Sequence, residues 1–339
     1  MARGQATWIA ARLAELGLRR AGPPSRVTGW SGTRVLRIPS ERGDLYFKSA
    51  PRRPGSTDEV GLLLALGALF PERVPRALAV DRQRGWVLLE DAGPPIGTAP
   101  PAVWNEVFGA FARIQLEAAG HGNALVAAGC WRIEPGAWAE RIEPTLEAVA
   151  RLPGLPAVPR RRWRRFASRL EEAWQELNEL ALPDTLVHGD LHLANVTAGA
   201  PGYVFLDWAD ACVCHPFLDV AYVFAENLHG AASCREAYLA PWREHEGPER
   251  LARMWTVAEP LSALHQVMTY VETARRLTGE ARRRAVDGVA FFARCLLASR
   301  GLAGTEERAL WAVTGPPRPP AAGGTEETPN VRGVTATGS

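Results

Sequence analysis

The chain has 339 residues, enough for two lobes around a large core, and its formal net charge of +2 offers nothing to a polyanion such as nucleic acid. No apolar run approaches the roughly 20 residues that a membrane helix needs, and no apolar leader follows Arg3, so neither a membrane partner nor export is expected and the chain is placed in the cytoplasm. The five cysteines, Cys130, Cys212, Cys214, Cys234 and Cys295, are odd in number and scattered, which fits reduced thiols rather than a disulfide framework.

Residues 7–16 have helical periodicity, with Thr7 as a cap and Gly17 and Gly22-Pro23-Pro24 as the stop, which predicts a packing helix and linker over residues 1–24. A small-residue loop, Gly29-Trp30-Ser31-Gly32-Thr33, then leads into a hairpin of Val35-Leu36-Arg37-Ile38, a turn at 41–44, and Leu45-Tyr46-Phe47-Lys48. In such a loop the backbone N–H groups of Ser31, Gly32 and Thr33 can approach an anion; an ordinary turn has the same composition. Of the 39 Lys plus Arg residues only Lys48 is lysine. An ammonium is a compact point charge and a guanidinium a planar fork, so the one exception points to chemistry that requires the former.

Ser56-Thr57-Asp58-Glu59 caps an apolar helix that runs to Leu69. Glu59 is the best-placed partner for Lys48, and Asp58 is the second choice. Residues 77–80 and 86–90, joined by a polar turn at 81–85, complete an antiparallel sheet of five strands. Asp91-Ala92-Gly93-Pro94-Pro95 ends the sheet and reads as a hinge, which closes a lobe of residues 25–93. From Ala102 the pattern is helical, with Trp104, Val107, Phe108, Phe111 and Ile114 on one core-facing stripe. The basic run Arg160 to Arg165 opens a helix that continues to Leu182 and reads as a solvated face.

The most informative stretch is residues 186–219. An apolar segment runs into His188-Gly189-Asp190-Leu191-His192-Leu193-Ala194-Asn195, and a β-rich segment, Tyr203-Val204-Phe205-Leu206, returns to deliver Asp207. Asp190 can accept a proton, while Asn195 and Asp207 offer the hard oxygen atoms that Mg²⁺ prefers. Asn195 follows Asp190 by so short a loop that both side chains can reach one pocket. His-x-Asp-x-His is also a metal-ligand spacing, so His188, Asp190 and His192 could belong to a zinc hydrolase, and Cys212-x-Cys214-His215 invites a second zinc reading without the further pair of ligands that would close a site.

The order His-x-Asp-x-x-x-x-Asn, then Asp207-Trp208, then Asp219 in Phe217-Leu218-Asp219-Val220-Ala221, resembles the aminoglycoside phosphotransferase and choline kinase family. The likeness covers residues 25 to 300. It departs from protein kinases in having Gly189 in place of Arg and Asp207-Trp208 in place of Asp-Phe-Gly. The resemblance implies a bilobal α+β protein-kinase-like fold with a helical second lobe over residues 94–314, and ATP- and Mg²⁺-dependent phosphorylation of a small-molecule hydroxyl. In that reading Asp190 is the base, Asn195 and Asp207 hold the metal, and His188 and Asp219 support the loop. Lys48, steadied by Glu59, contacts the phosphates near Ser31, Gly32 and Thr33, while the backbone of Glu90, Asp91 and Ala92 pairs with the base of the nucleotide. A nucleotide-binding protein that no longer catalyses is the alternative of another class.

Beyond Asp219 the chain reads as helices over residues 220–228, 233–244, 249–278 and 280–299, with Glu226, Asn227, Glu259, His265, Tyr270 and Glu272 as polar residues available to an acceptor. From Gly315 onward Pro, Gly, Thr and Ser dominate, which predicts a disordered tail over residues 315–339. The chain is expected to act as a monomer or homodimer.

Overall fold

The structure is a computed structural model that describes residues 3–27, 33–50, 52, 55–152, 160–180, 182–199, 201–223 and 232–299. Ser31, Gly32, Glu226, Asn227 and the tail from Gly315 lie outside the described residues.

The first lobe is a five-stranded antiparallel sheet of β1 (Ser25–Val27), β2 (Arg34–Ser40), β3 (Gly43–Ser49), β4 (Ala77–Asp81) and β5 (Trp86–Glu90), in the order β1-β2-β3-β5-β4. Because side chains alternate across a strand, Leu36, Ile38, Leu45 and Phe47 share one face and bury Ile9 and Leu13 of helix α1 (Arg3–Glu15). Helix α1 opens at Arg3 rather than at Thr7. Thr7 lies inside the helix and donates its hydroxyl to the Arg3 carbonyl at 3.1 Å, a bond a threonine makes readily within a helix.

The opposite face of the sheet carries α2 (Glu59–Leu69), whose Val60, Leu62, Leu63 and Leu66 are buried. Asp58 caps this helix by accepting the Gly61 N–H at 3.0 Å, and its other oxygen pairs with Arg82 at 2.8 Å. Both oxygens of Asp58 are thereby engaged, which removes it as a partner for Lys48.

The segment after Glu90 is more than a hinge. Ile96 N–H donates to the Val196 carbonyl at 2.8 Å and Gly97 N–H to the Leu193 carbonyl at 3.1 Å, so the connector is stitched to the loop that carries Asp190.

The second lobe is built on α3 (Pro101–Ala118), with Val107, Phe108, Phe111 and Ile114 buried as a stripe and Trp104 at its edge. Around it lie α4 (Gly122–Ala128), α5 (Pro135–Ala139), α6 (Ile142–Ala150), α7 (Arg160–Glu179), α8 (Ala232–Leu239), α9 (Pro248–Arg276) and α10 (Gly279–Ala298). Helix α7 stops at Glu179, short of Leu182, because a residue before proline avoids helical backbone and Pro183 follows. Pro241 likewise ends α8 at Leu239, and residues Pro241–Glu244 form a separate 3₁₀ turn.

Between the helices lie β6 (Trp131–Arg132), β7 (Thr185–Val187), the hairpin β8 (Val196–Gly199) and β9 (Gly202–Phe205), and β10 (Cys212–Cys214). Strand β10 pairs antiparallel with β7 and parallel with β6. It feeds a 3₁₀ turn, Pro216–Val220, that presents Asp219. His215 caps that turn by accepting the Phe217 N–H on Nδ1 at 3.2 Å.

Phe111 is one contact through which α3 supports this region, with ring centroids 5.1 Å from Phe205, 6.0 Å from His188 and 6.3 Å from Trp208. Phe111→Ala is expected to cost about 3–5 kcal/mol, seen as a lower urea midpoint at unchanged slope.

Burial holds the imidazole of His215 neutral and its pKa down to about 3. The unfolded chain, with a histidine pKa of ~6.5, takes up that proton first, so stability falls as pH drops from about 6.5 toward 3. Denaturant titrations across that window should show a shallower loss for His215→Gln than for the native chain.

Candidate active site

The period of β3 turns Phe47 toward α1 and Lys48 toward α2. Lys48 and Glu59 are each only 7 % exposed, and the Lys48 ammonium donates to Glu59 Oε1 and, at 2.7 Å, to Asp207 Oδ1. Glu59 Oε1 also accepts the Trp208 N–H at 3.2 Å. One ammonium therefore links the sheet, α2 and the segment after β9. Burial opposes the charge on Lys48, but Asp207 and then Glu59 outweigh it and raise its pKa. The same pairing lowers the pKa of Asp207 against the opposing effect of burial.

Asp207 has φ of 59°, the one non-glycine residue among those described with a positive φ. Aspartate tolerates this left-handed conformation better than most residues. Its neighbour Trp208 is buried in the core, with the indole N–H returning to the Phe205 carbonyl at 2.9 Å. The kink thus sinks Trp208 while leaving the Asp207 carboxylate half-exposed beside Lys48.

The loop of residues 188–195 is held by a single buried carboxylate. Asp219 accepts the N–H of His188 at 2.6 Å and of Gly189 at 2.8 Å, and the Gln115 amide at 3.1 Å. Burial nonetheless pushes its carboxyl up to about 7 against the pull of the two N–H groups. Gln266 donates to the Gly189 carbonyl at 2.5 Å. Gly189 itself has φ of 81°, and a Cβ there would run into the Asp210 carbonyl oxygen, so the loop accepts only glycine at this point.

This scaffold presents Asp190. Its Oδ1 accepts from the Tyr222 hydroxyl at 2.7 Å, and its Oδ2 accepts from Asn195 Nδ2 at 3.1 Å and lies 3.3 Å from His192 Nε2. Burial pushes the Asp190 carboxyl up, but the opposing effects of His192 and Tyr222 bring it down to about 2. It is a carboxylate at neutral pH. Asn195 also donates to the Asp190 carbonyl at 3.0 Å, which commits its NH₂ end to Asp190 and leaves its oxygen as the end available to a cation.

His188 is fully buried, donates from Nε2 to the Leu206 carbonyl at 2.9 Å and accepts the Asp190 N–H on Nδ1 at 3.3 Å. Burial lowers its pKa to about 4. With both ring nitrogens engaged it is no free ligand, which removes the zinc reading of His188, Asp190 and His192. Among the described residues no group of three His, Cys, Asp or Glu side chains could hold a metal ion, and burial raises the thiol pKa of both Cys212 and Cys214.

Glu90 is still in the sheet, paired with Leu45, and donates its N–H to the Arg76 carbonyl at 3.0 Å. Asp91 and Ala92 lie just beyond the ladder, with the Asp91 carboxylate accepting the Gly93 N–H at 2.9 Å. Thr33 precedes β2.

Four residues of the site were missed or left without a role by sequence reasoning. Gln115 carried a usable signal, an uncharged polar residue on the stripe of Phe111 and Ile114. Tyr222 carried none, because it sits in an apolar run and reads as core. Gln266 lies mid-helix on α9. Asp210 feels the site's charges: desolvation, then Asp190 and Asp207, push its carboxyl up to about 7.

Residues 25–255 match the model of the APH phosphotransferase enzyme family. No curated protein matches the chain. Among solved structures, a type I macrolide 2'-phosphotransferase is 16 % identical, with 90 % of this chain and 99 % of that chain covered and a TM-score of 0.57. A choline/ethanolamine kinase family protein from Mesorhizobium loti is 20 % identical, with 91 % and 99 % covered and a TM-score of 0.59. The APH(2")-IIia enzyme solved with GDP and kanamycin is 14 % identical, with 85 % and 98 % covered and a TM-score of 0.55. These likenesses are of fold; the family match spans most of the chain, and with a base-like carboxylate, a paired lysine and two oxygen donors gathered in one site, the chain belongs to the APH phosphotransferase enzyme family and is a kinase-type phosphotransferase.

Proposed function

We propose that the protein transfers the γ-phosphoryl group of ATP, with Mg²⁺, to a hydroxyl of a small molecule such as an aminoglycoside-like antibiotic, an amino alcohol or a sugar, and that it does so in the cytoplasm. The observation that carries the reading is the convergence of Lys48, Asp207, Asn195 and Asp190 on one site from positions as far as 159 residues apart. Phosphoryl transfer asks little covalent chemistry of a protein and much positioning and charge neutralisation, and these side chains offer both.

The donor set fits Mg²⁺. Asp207 supplies an anionic oxygen and Asn195 a neutral one, both hard, and no soft sulfur ligand competes. Mg²⁺ held by these two residues would neutralise phosphate charge. Lys48 would contact phosphate oxygens, keeping Glu59 as the partner that aims it. Asp190 would orient the acceptor hydroxyl and take its proton as the oxygen attacks phosphorus. Asp91 and Ala92 would meet the base of the nucleotide through their backbone, since the Glu90 N–H is spent in the sheet. His188 and Asp219 would hold the loop. The neighbours named for macrolides, choline, ethanolamine and kanamycin support an acceptor that is small and hydroxylated.

A screen of hydroxylated metabolites and antibiotics with ATP and GTP tests the reading, and the absence of phosphoryl transfer to every acceptor would overturn it. Asp190→Asn should lower kcat on the order of 10²–10⁴-fold with nucleotide affinity nearly intact. Asp207→Ala should weaken Mg·ATP binding more than Asp190→Asn does, since it removes a hard anionic ligand; calorimetric titration of both variants gives the ranking.

Lys48→Arg conserves charge yet replaces a point donor shared by two carboxylates with a wider fork. A loss of roughly tenfold or more in kcat/KM is expected, and native-like turnover would remove the special role of the lysine.

A further inference from the structure

A carboxylate that takes a proton must offer a lone pair in a defined direction, and the partners of Asp190 leave one. Each carboxylate oxygen has about two lone-pair sites. Oδ2 accepts from Asn195 Nδ2 at 3.1 Å and lies 3.3 Å from His192 Nε2, which is also 3.3 Å from Asn195 Nδ2. The His192 ring accepts the Ala194 N–H on Nδ1 at 3.2 Å, which assigns the hydrogen to Nε2. Oδ2 therefore has two nitrogens against it. Among the described residues Oδ1 receives one donor, the Tyr222 hydroxyl at 2.7 Å, and keeps a site open.

We propose that Tyr222 is a positioning residue that makes Asp190 Oδ1 the atom receiving the acceptor's proton, and that Tyr270 and Gly288 exist in this fold to hold Tyr222 there. The proposal rests on the phosphotransferase reading above. In the step, the acceptor O–H bond breaks and an Oδ1–H bond forms. The freed oxygen pair makes the O–P bond, and the bond from phosphorus to the leaving nucleoside diphosphate breaks with its electrons. Tyr222 keeps its own proton throughout, because burial and then the charge of Asp190 raise its phenol well above the ordinary value.

The supporting geometry runs outward from the carboxylate. The Tyr222 ring is 6 % exposed, packs edge-on against Phe292 at 5.2 Å and lies 5.0 Å from the His192 ring, so one side chain braces donors on both oxygens of Asp190. Behind it the Tyr270 hydroxyl stands 3.5 Å from that of Tyr222, suited to donate to the oxygen that Tyr222 leaves free. The Tyr270 ring reaches this place by lying over Gly288 in the interior of α10, where any Cβ would overlap it. Glycine is unfavourable inside a helix, and here the ring of Tyr270 accounts for it.

Tyr222→Phe keeps the ring and removes the hydroxyl. The expected result is Mg·ATP affinity within about twofold of the native chain by calorimetry, kcat for acceptor transfer lower by roughly 10- to 100-fold, and a crystal structure with the Asp190 carboxylate turned away from its present orientation. Tyr270→Phe should lower kcat only a few-fold with the same unchanged nucleotide affinity. The proposal is overturned if Asp190 keeps its orientation in the Tyr222→Phe crystal, if kcat stays within about twofold, or if nucleotide affinity falls in parallel with kcat, as a general loss of structure would produce. The crystallographic readout does not depend on turnover. A native chain inactive toward every acceptor would overturn the phosphotransferase reading while the orientation of Asp190 in the variant still decides the role of Tyr222.

Discussion

An ammonium group taken out of water must be paired, and the arrangement of both lobes follows from how Lys48 meets that demand. A buried charge stripped of one partner typically costs 3–5 kcal/mol, so the pairing is a constraint on geometry more than a gain in stability. Glu59 from α2 and Asp207 from the segment after β9 converge on one Nζ, and the Trp208 N–H shares Glu59 with it. Sheet, helix and hairpin are thereby held at one point. A guanidinium at the same place would need a wider set of acceptors than these two oxygens provide.

The helical lobe solves a second problem, how to fix a largely buried loop while leaving the Asp190 carboxylate partly open. Its answer is to satisfy the loop's backbone from beneath. Asp219 collects the N–H groups of His188 and Gly189, while Gln115 from α3 and Gln266 from α9 reach Asp219 and the Gly189 carbonyl. Buried polar networks of this kind specify one conformation, although the Gln266 side-chain oxygen has no partner among the described residues. Asp190 and Asn195 stand on that floor, each partly exposed. The connector after β5, bonded to residues 193 and 196, couples that floor to the sheet.

Much of this was legible locally. The solitary lysine pointed to position 48, the cap at residues 56–59 pointed to Glu59, and the five-residue interval between Asp190 and Asn195 is short enough for a loop to bring their side chains into contact, which the structure shows at 3.1 Å. The five-stranded sheet and the helical second lobe were readable from periods of two and of 3.6, which depend on the geometry of the backbone alone. Where local reading failed, the competing cause was also local: Thr7 bonds back within its helix instead of capping it, and Pro183 and Pro241 stop helices that apolar patterns would have carried further.

The amino-acid sequence by itself determined the kind of fold, the order of its elements and which carboxylates, amide and ammonium were candidates for the site, because propensity, capping and short-range spacing act between near neighbours. Only the tertiary structure decided which of those residues meet. The contact of Lys48 with Asp207 spans 159 positions and that of Tyr222 with Asp190 spans 32, and both depend on how layers pack rather than on any interval along the chain. Tyr222 looks like core in the sequence because its ring is core; the hydroxyl differs only in what stands opposite it. Gly288 shows the same limit from the other side: its vacancy has meaning only once the ring of Tyr270 is seen to fill it.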